Sequence, residues 1–148
     1  MPSPVTEKEI EKFLESKLNM QLATVDESGY PNIQPIWFYY NTSDGRFYSG
    51  TQKMTRKVQN MRKNPDKVYF SIDDENFPPK GVKGRCVATI SEDREKNLAI
   101  IEKLNLKYLN TLDHPLAQRL MENAKSGIEV VIEITPQFFS AWDFGKAM

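Results

Sequence analysis

Apolar positions along the chain change period several times, and each change marks an element. Ile10, Phe13, Leu14 and Leu18 form one helical stripe. Thr6 and Glu9 make a T-x-x-E capping box in front of it, flanked by Val5 and Ile10 as a hydrophobic staple. The spacing predicts a helix to about residue 17, after a short lead-in from Pro2 to Pro4. The period then drops to two. MQLATV (20–25) reads as a strand, 26–29 as a turn, and PNIQPIWFYY (31–40) as a second strand. Pro35 offers no N–H to a ladder, so it marks an edge, a bulge, or a place where something other than a strand lies alongside. A turn at 41–45 and a return strand at 46–50 follow. Later strands are expected at 67–72, 82–90, 128–134 and 138–144, with an acidic, proline-containing loop at 73–81.

Ser91 reads as the N-cap of a helix to about residue 111, with Leu98, Ile101, Leu104, Tyr108 and Leu109 spaced for burial. Asp113-His114-Pro115 breaks it. A shorter helix at 116–125 carries Leu116, Leu120, Met121 and Ala124, with Gly127 as its C-terminal cap. Six or seven strands joined mostly by short turns imply a mainly β, α+β fold with a largely antiparallel sheet, and closure into a barrel would remove its edges. The order is not a regular β-α-β-α alternation and contains no G-x-G-x-x-G, which disfavours a parallel nucleotide-binding sheet.

The segment FYSGTQKMTRKVQNMRKNP (47–65) organises the chain. It opens as a strand, is expected to turn at Gly50, and continues as a short helix ending at Asn64-Pro65. Met54, Val58 and Met61 share one helical face. Lys53, Arg56 and Lys57 sit at or before the first turn, where unpaired N–H groups and the macrodipole are already positive. Thr51 and Thr55 add hydroxyls suited to capping or to phosphate oxygens. Two readings stand on these residues alone. One is a phosphate site at the helix start; the other is a solvated basic face, with Arg62 and Lys63 complementing the dipole at the far end.

Composition narrows the classes. The 148 residues (1–148) make one domain, with 20 Lys+Arg balancing 20 Asp+Glu, which argues against nucleic-acid binding through bulk charge. Cys86 is the only cysteine, so no internal disulfide forms and a structural zinc site is disfavoured; no metal is expected. With no signal pattern and no long apolar run, the expectation is a soluble, cytoplasmic protein without a membrane partner. His114 is the only histidine and precedes a proline between helices, which suits a surface residue better than a catalyst. Cys86 lies among apolar neighbours as an inert thiol. No Ser/His/Asp order, H-E-x-x-H or Walker loop is present, and no catalytic residue is identified. If the chain is an enzyme, a cofactor carries the difficult step. Trp37 and Trp142 suit core packing or the flanks of a flat ring.

Four stretches in order, LATVDESGYPNIQPIWF (22–38), FYSGTQKMTRKVQNMRKNP (47–65), GVKGRCVATI (81–90) and IEITPQFFSAWDFGK (132–146), resemble the pyridoxamine 5'-phosphate oxidase-like family of flavin-binding split β-barrels. The resemblance implies a six-stranded antiparallel split barrel with flanking helices, a homodimer, and FMN or the deazaflavin F420 bound between subunits. By position, Arg56 and Lys57 match the basic pair on the cofactor phosphate and Thr55 a hydroxyl beside it. Tyr48, Ser49 and Gly50 match the strand lining the cofactor. Gln34, Pro35, Ile36 and Trp37 match the strand whose backbone meets the isoalloxazine edge, which gives Pro35 a reason. Trp142 matches the segment reaching the partner's cofactor.

Two departures matter. A strand lysine for the substrate phosphate is replaced at the nearest aligned position by Tyr39, and the tail FSAWDFGKAM lacks the family's R-x-H. Oxidation of vitamin B6 is therefore doubtful, and the resemblance points to short FMN- or F420-dependent reductases with a small-molecule substrate. The reading is hydride transfer through FMN. The alternatives are F420, whose acidic tail Lys53, Lys63, Lys80 and Lys83 would meet, or a non-catalytic flavin or haem carrier or sensor. Haem is the weaker of these, with His114 as its one imidazole.

Overall fold

The computed structural model describes residues 5–147, so the lead-in from Pro2 to Pro4 lies outside the described residues. The elements are α1 (Glu7–Phe13), β1 (Met20–Val25), β2 (Pro31–Ile36), β3 (Tyr39–Asn41), β4 (Arg46–Gln52), α2 (Arg56–Lys63), β5 (Val68–Asp74), β6 (Lys80–Ser91), α3 (Arg94–Leu109), α4 (Pro115–Ser126), β7 (Glu129–Pro136) and β8 (Ser140–Asp143), then a 3-10 turn (Phe144–Ala147). The strands form one sheet in the order β2-β1-β5-β6-β7-β4-β3, with β8 on β6. Every pairing among the described residues is antiparallel. The described residues form an α+β fold, mainly antiparallel sheet with four α-helices.

Among the described residues the strand count is eight rather than six or seven, because the 31–40 run splits. At Trp37 and Phe38 the backbone leaves the ladder and bonds to side chains. The Ser49 hydroxyl donates to Trp37 O (2.6 Å), Phe38 N–H donates to the Tyr108 oxygen (3.1 Å), and Lys107 Nζ donates to Phe38 O (2.8 Å). Buried backbone groups must find partners, and here α3 supplies most of them. Pro35 sits on β2, which among the described residues pairs only with β1, so the edge alternative holds.

Other boundaries move for local reasons. α1 carries the expected capping box but ends at Phe13, where Glu15 and Ser16 N–H groups tighten onto Lys12 O (3.2 Å) and Phe13 O (3.0 Å). Gly50 is not a turn; it lies within β4 opposite Val131, and the chain turns after Gln52. Val58 and Met61 are buried as expected, whereas Met54 precedes α2 and is 80% exposed. Ser91 is the last residue of β6, and Asp93 caps α3 through Lys96 N–H (3.2 Å). Gly127 caps α4 at φ +85°, but Ala117 rather than Leu116 is buried there.

Alternation on β4 and β7 serves two cores. Phe47, Ile132 and Ile134 join Phe38, Phe70 and Ile72 on one face. Tyr48 and Val131 face the other way, under Ile101, Leu104 and Tyr108 of α3 and Ala124 of α4. Burying each large side chain contributes about 1.5–3 kcal/mol, so α3 and α4 are fastened over the outer face of β4 and β7. Among the described residues no helix is long and apolar enough to cross a membrane.

Candidate functional site

The start of α2 keeps its positive end open. Thr55 occupies the N-cap with extended backbone but gives no side-chain cap, and no acidic residue lies in the first turn. Its hydroxyl donates instead to Gln52 O (3.1 Å) and lies 3.5 Å from the Thr51 hydroxyl. Arg56 is exposed and makes no hydrogen bond or ion pair among the described residues. Lys57 turns inward and donates to Gln34 Oε1 (3.2 Å), tying α2 to the edge strand β2. Burial pulls the Lys57 ammonium below its ordinary pKa, partly offset by the charge of Glu129.

Lys57 thereby enters a cleft of about 360 Å³. Pro35, Ile36 and Trp37 form one wall at the end of β2, and Ile101 and Leu104 of α3 with Leu120 of α4 form the other. Gly50 lies at the floor, where a Cβ would collide with Ile101 Cδ1 and stand 3.3 Å from Glu129 Oε2. Asn19, Asn105 and Glu129 complete the lining. Glu129 is 5% exposed, and burial pushes its carboxyl up to about 6 against the pull of Lys57.

Of the residues singled out in the sequence, Pro35, Ile36, Trp37, Gly50 and Lys57 meet in this cleft, with Gln34 joined through Lys57. The others have separate engagements. Tyr48 is buried beneath α3 and its hydroxyl donates to Asp44 Oδ2. The Ser49 hydroxyl holds Trp37 O. Lys53 pairs with Glu92, which Arg62 also engages (3.1 Å). Trp142 lies on β8 over Gly81, lining a separate cavity with Phe13 and Lys80. None of Lys53, Lys63, Lys80 and Lys83 lines the cleft. His114 caps α4, its Nδ1 accepting from Leu116 N–H (3.0 Å).

Glu129 and Asn105 escaped the sequence reading. In IEVVIEI, Glu129 and Glu133 alternate with apolar residues as if on a solvated face, and the docking of α3 and α4 covers it. Asn105 lies on the buried stripe of α3 beside Ile101 and Leu104, and a polar residue on an apolar stripe was the available signal.

A family model described as pyridoxamine 5'-phosphate oxidase matches residues 6–143. A conserved hypothetical protein from Mycobacterium tuberculosis superimposes with a TM-score of 0.83 at 23% identity, covering 97% of this chain and 88% of that one. A solved F420 reductase gives 0.70 at 27% identity, over 88% and 94%. The haem oxygenase HutZ of Vibrio cholerae is 29% identical over 113 residues, 72% of this chain, and the chain covers only 63% of that relative's length. The residues that build the cleft, from Gln34 on β2 to Glu129 on β7, all fall inside the matched span, and the chain belongs to the pyridoxamine 5'-phosphate oxidase family.

Proposed function

We propose that the chain is a flavin-binding oxidoreductase that holds FMN at a homodimer interface and transfers hydride to or from a small organic substrate. The observation that carries this reading is the meeting of an uncapped helix start bearing Arg56 and Lys57 with an apolar cleft walled by Pro35, Ile36 and Trp37. An open cationic end beside a cleft with apolar lining residues suits a ligand with a phosphate and a flat conjugated system. Lys57 and Arg56 would neutralise the phosphate through charge-assisted hydrogen bonds. Gln34 holds Lys57 toward the cleft, and the backbone near residues 35–37 would face the ring edge. Gly50 keeps the floor clear. When bound, the flavin supplies the hydride chemistry, and Trp37 limits water access.

The path β2-β1-β5-β6-β7-β4 supports the six-stranded split barrel, with β3 and β8 as additions. An apolar row supports the homodimer. Ile33 (61% exposed) and Tyr69 (38% exposed) both register with Ala23, on the face shared with Pro35. F420 is the second reading, favoured by the F420 reductase match over 88% of the chain. Haem has less support, since the one imidazole caps α4 outside the cleft.

The test is the absorbance spectrum of the purified protein and mass identification of what denaturation releases. Bound FMN, with affinity falling at least tenfold in Arg56→Ala/Lys57→Ala, is the expected result. A colourless protein that takes up neither FMN nor F420 overturns the reading.

A further inference from the structure

Glu129 and Lys57 line the same cleft with opposite charges and no hydrogen bond joins them. Lys57 Nζ donates instead to Gln34 Oε1 (3.2 Å), and Glu129 Oε1 has no hydrogen-bond partner among the described residues. The other carboxylate oxygen, Oε2, lies 3.3 Å from the place a Cβ on Gly50 would take. Glu129 is 5% exposed, so little water screens its charge from an anion drawn to Lys57. Burial draws both groups toward their neutral forms, and each charge opposes that shift in the other.

We propose that Glu129 couples anion capture in this cleft to proton uptake: an oxyanion held by Lys57 binds more tightly once the Glu129 carboxyl is neutral. The charges give the sign. With Glu129 ionised, the charged lining sums to zero; with it protonated, Lys57 stands alone and the cleft is cationic. Among the described residues no other titratable side chain lines the cleft. β4 brings Gly50 and Gln52 to Glu129, and α3 and α4 bring Ile101, Leu104 and Leu120. Charges where β6 meets α3 are engaged elsewhere: Glu92 by Lys53 and Arg62, Asp93 in capping α3, Arg94 in donating to Lys125 O (3.4 Å). Arg56 stands at the exposed helix start, and His114 caps α4 outside the cleft. Linkage is reciprocal, so a bound anion raises the proton affinity of Glu129 by the same factor by which the proton tightens the anion. The carboxyl, pushed up to about 6, changes state between pH 5 and 7.5.

The coupling rests on the preceding reading only in placing the anion at Lys57, and sulfate, whose charge is constant over this range, tests it without a flavin. Isothermal titration of the purified protein, with chloride balancing ionic strength, is expected to show sulfate binding about fivefold tighter at pH 5 than at pH 7.5. At pH 6.5, heats in two buffers of different ionisation enthalpy should report uptake of about half a proton per sulfate. Glu129→Gln should bind sulfate at pH 7.5 as tightly as wild type does at pH 5, without pH dependence or proton uptake. Lys57→Met should lose the site. If Glu129→Gln does not fold, the wild-type proton count carries the test. No sulfate binding, binding without proton uptake, an unaltered pH profile in folded Glu129→Gln, or undiminished binding in Lys57→Met overturns the coupling. FMN bound by a protein that shows no such linkage leaves the flavin reading standing alone. Proton-linked sulfate binding in a protein that takes up neither FMN nor F420 leaves the coupling and removes the flavin.

Discussion

The indole of Trp37 lies flat on the phenol of Tyr108, with ring centroids 4.7 Å apart and planes 2° apart. This offset stack joins the cleft wall to α3 where the chain passes from β2 to β3. The Tyr108 hydroxyl completes the joint, donating to Leu18 O (2.6 Å) and accepting Phe38 N–H (3.1 Å). Tyr108→Phe keeps the stack and deletes the hydroxyl, leaving a buried N–H and a carbonyl unpaired. The expected cost is about 1–3 kcal/mol, measured as a lower urea midpoint with unchanged slope.

The basic residues around α2 are not equivalent. Lys57 is drawn inward by Gln34, while Lys53 is engaged by Glu92 on the surface. Lys57→Met is expected to weaken FMN binding at least tenfold and Lys53→Met less than twofold, read from quenching of flavin fluorescence. Equal losses would mean that bulk charge rather than position attracts the phosphate.

This difference shows what the sequence could and could not carry. Local rules reached far: the Thr6–Glu9 capping box, β1 at residues 20–25, and Gly127 at the end of α4 depend on neighbours within a few positions. Arg56 and Lys57 do open α2, as their place in the 47–65 stretch predicts. The failures have non-local causes. The 31–40 run splits because Tyr108 and Lys107, some seventy residues away, take over the backbone bonds of Phe38. Gly50 passed for a turn because nothing nearby in sequence reveals Ile101 above it.

Gly50 gives a sharper test of that packing. An added Cβ meets the Ile101 terminal methyl, and the buried Ile101 has little room to yield. Gly50→Ala is expected to cost about 1–3 kcal/mol through overpacking. Ile101→Val removes the offending Cδ1 and alone costs about 0.5–1.5 kcal/mol. In the double variant the two losses should be markedly less than additive, a coupling that a double-mutant cycle from urea unfolding measures directly.

Cys86 should be silent while the protein is folded. It is 0% exposed, its Sγ donates to Val68 O (3.5 Å), and burial pushes the thiol up to about 12. A thiol disulfide reagent at pH 8 is expected to label none of the native protein over minutes, and one equivalent once denaturant is added. Prompt native labelling would contradict both the burial and the absence of thiolate.

Glu129 sets an unusual sign on stability. Its folded pKa is raised from 4.5 to about 6 by burial, so the folded state binds the proton more tightly than the unfolded chain does. Stability from this group is complete below about pH 4.5, falls as the pH rises toward 6, and is flat above that. A difference of that size corresponds to about 2 kcal/mol between the two limits. Most carboxylates in a folded protein act in the opposite direction, so the contribution is read as a difference between proteins. Wild type minus Glu129→Gln, from urea unfolding at pH 4 to 7.5, should decline by about that amount across the window. A flat difference would mean that Glu129 is solvated or paired in solution, and the cleft would then lack the buried charge that its geometry implies.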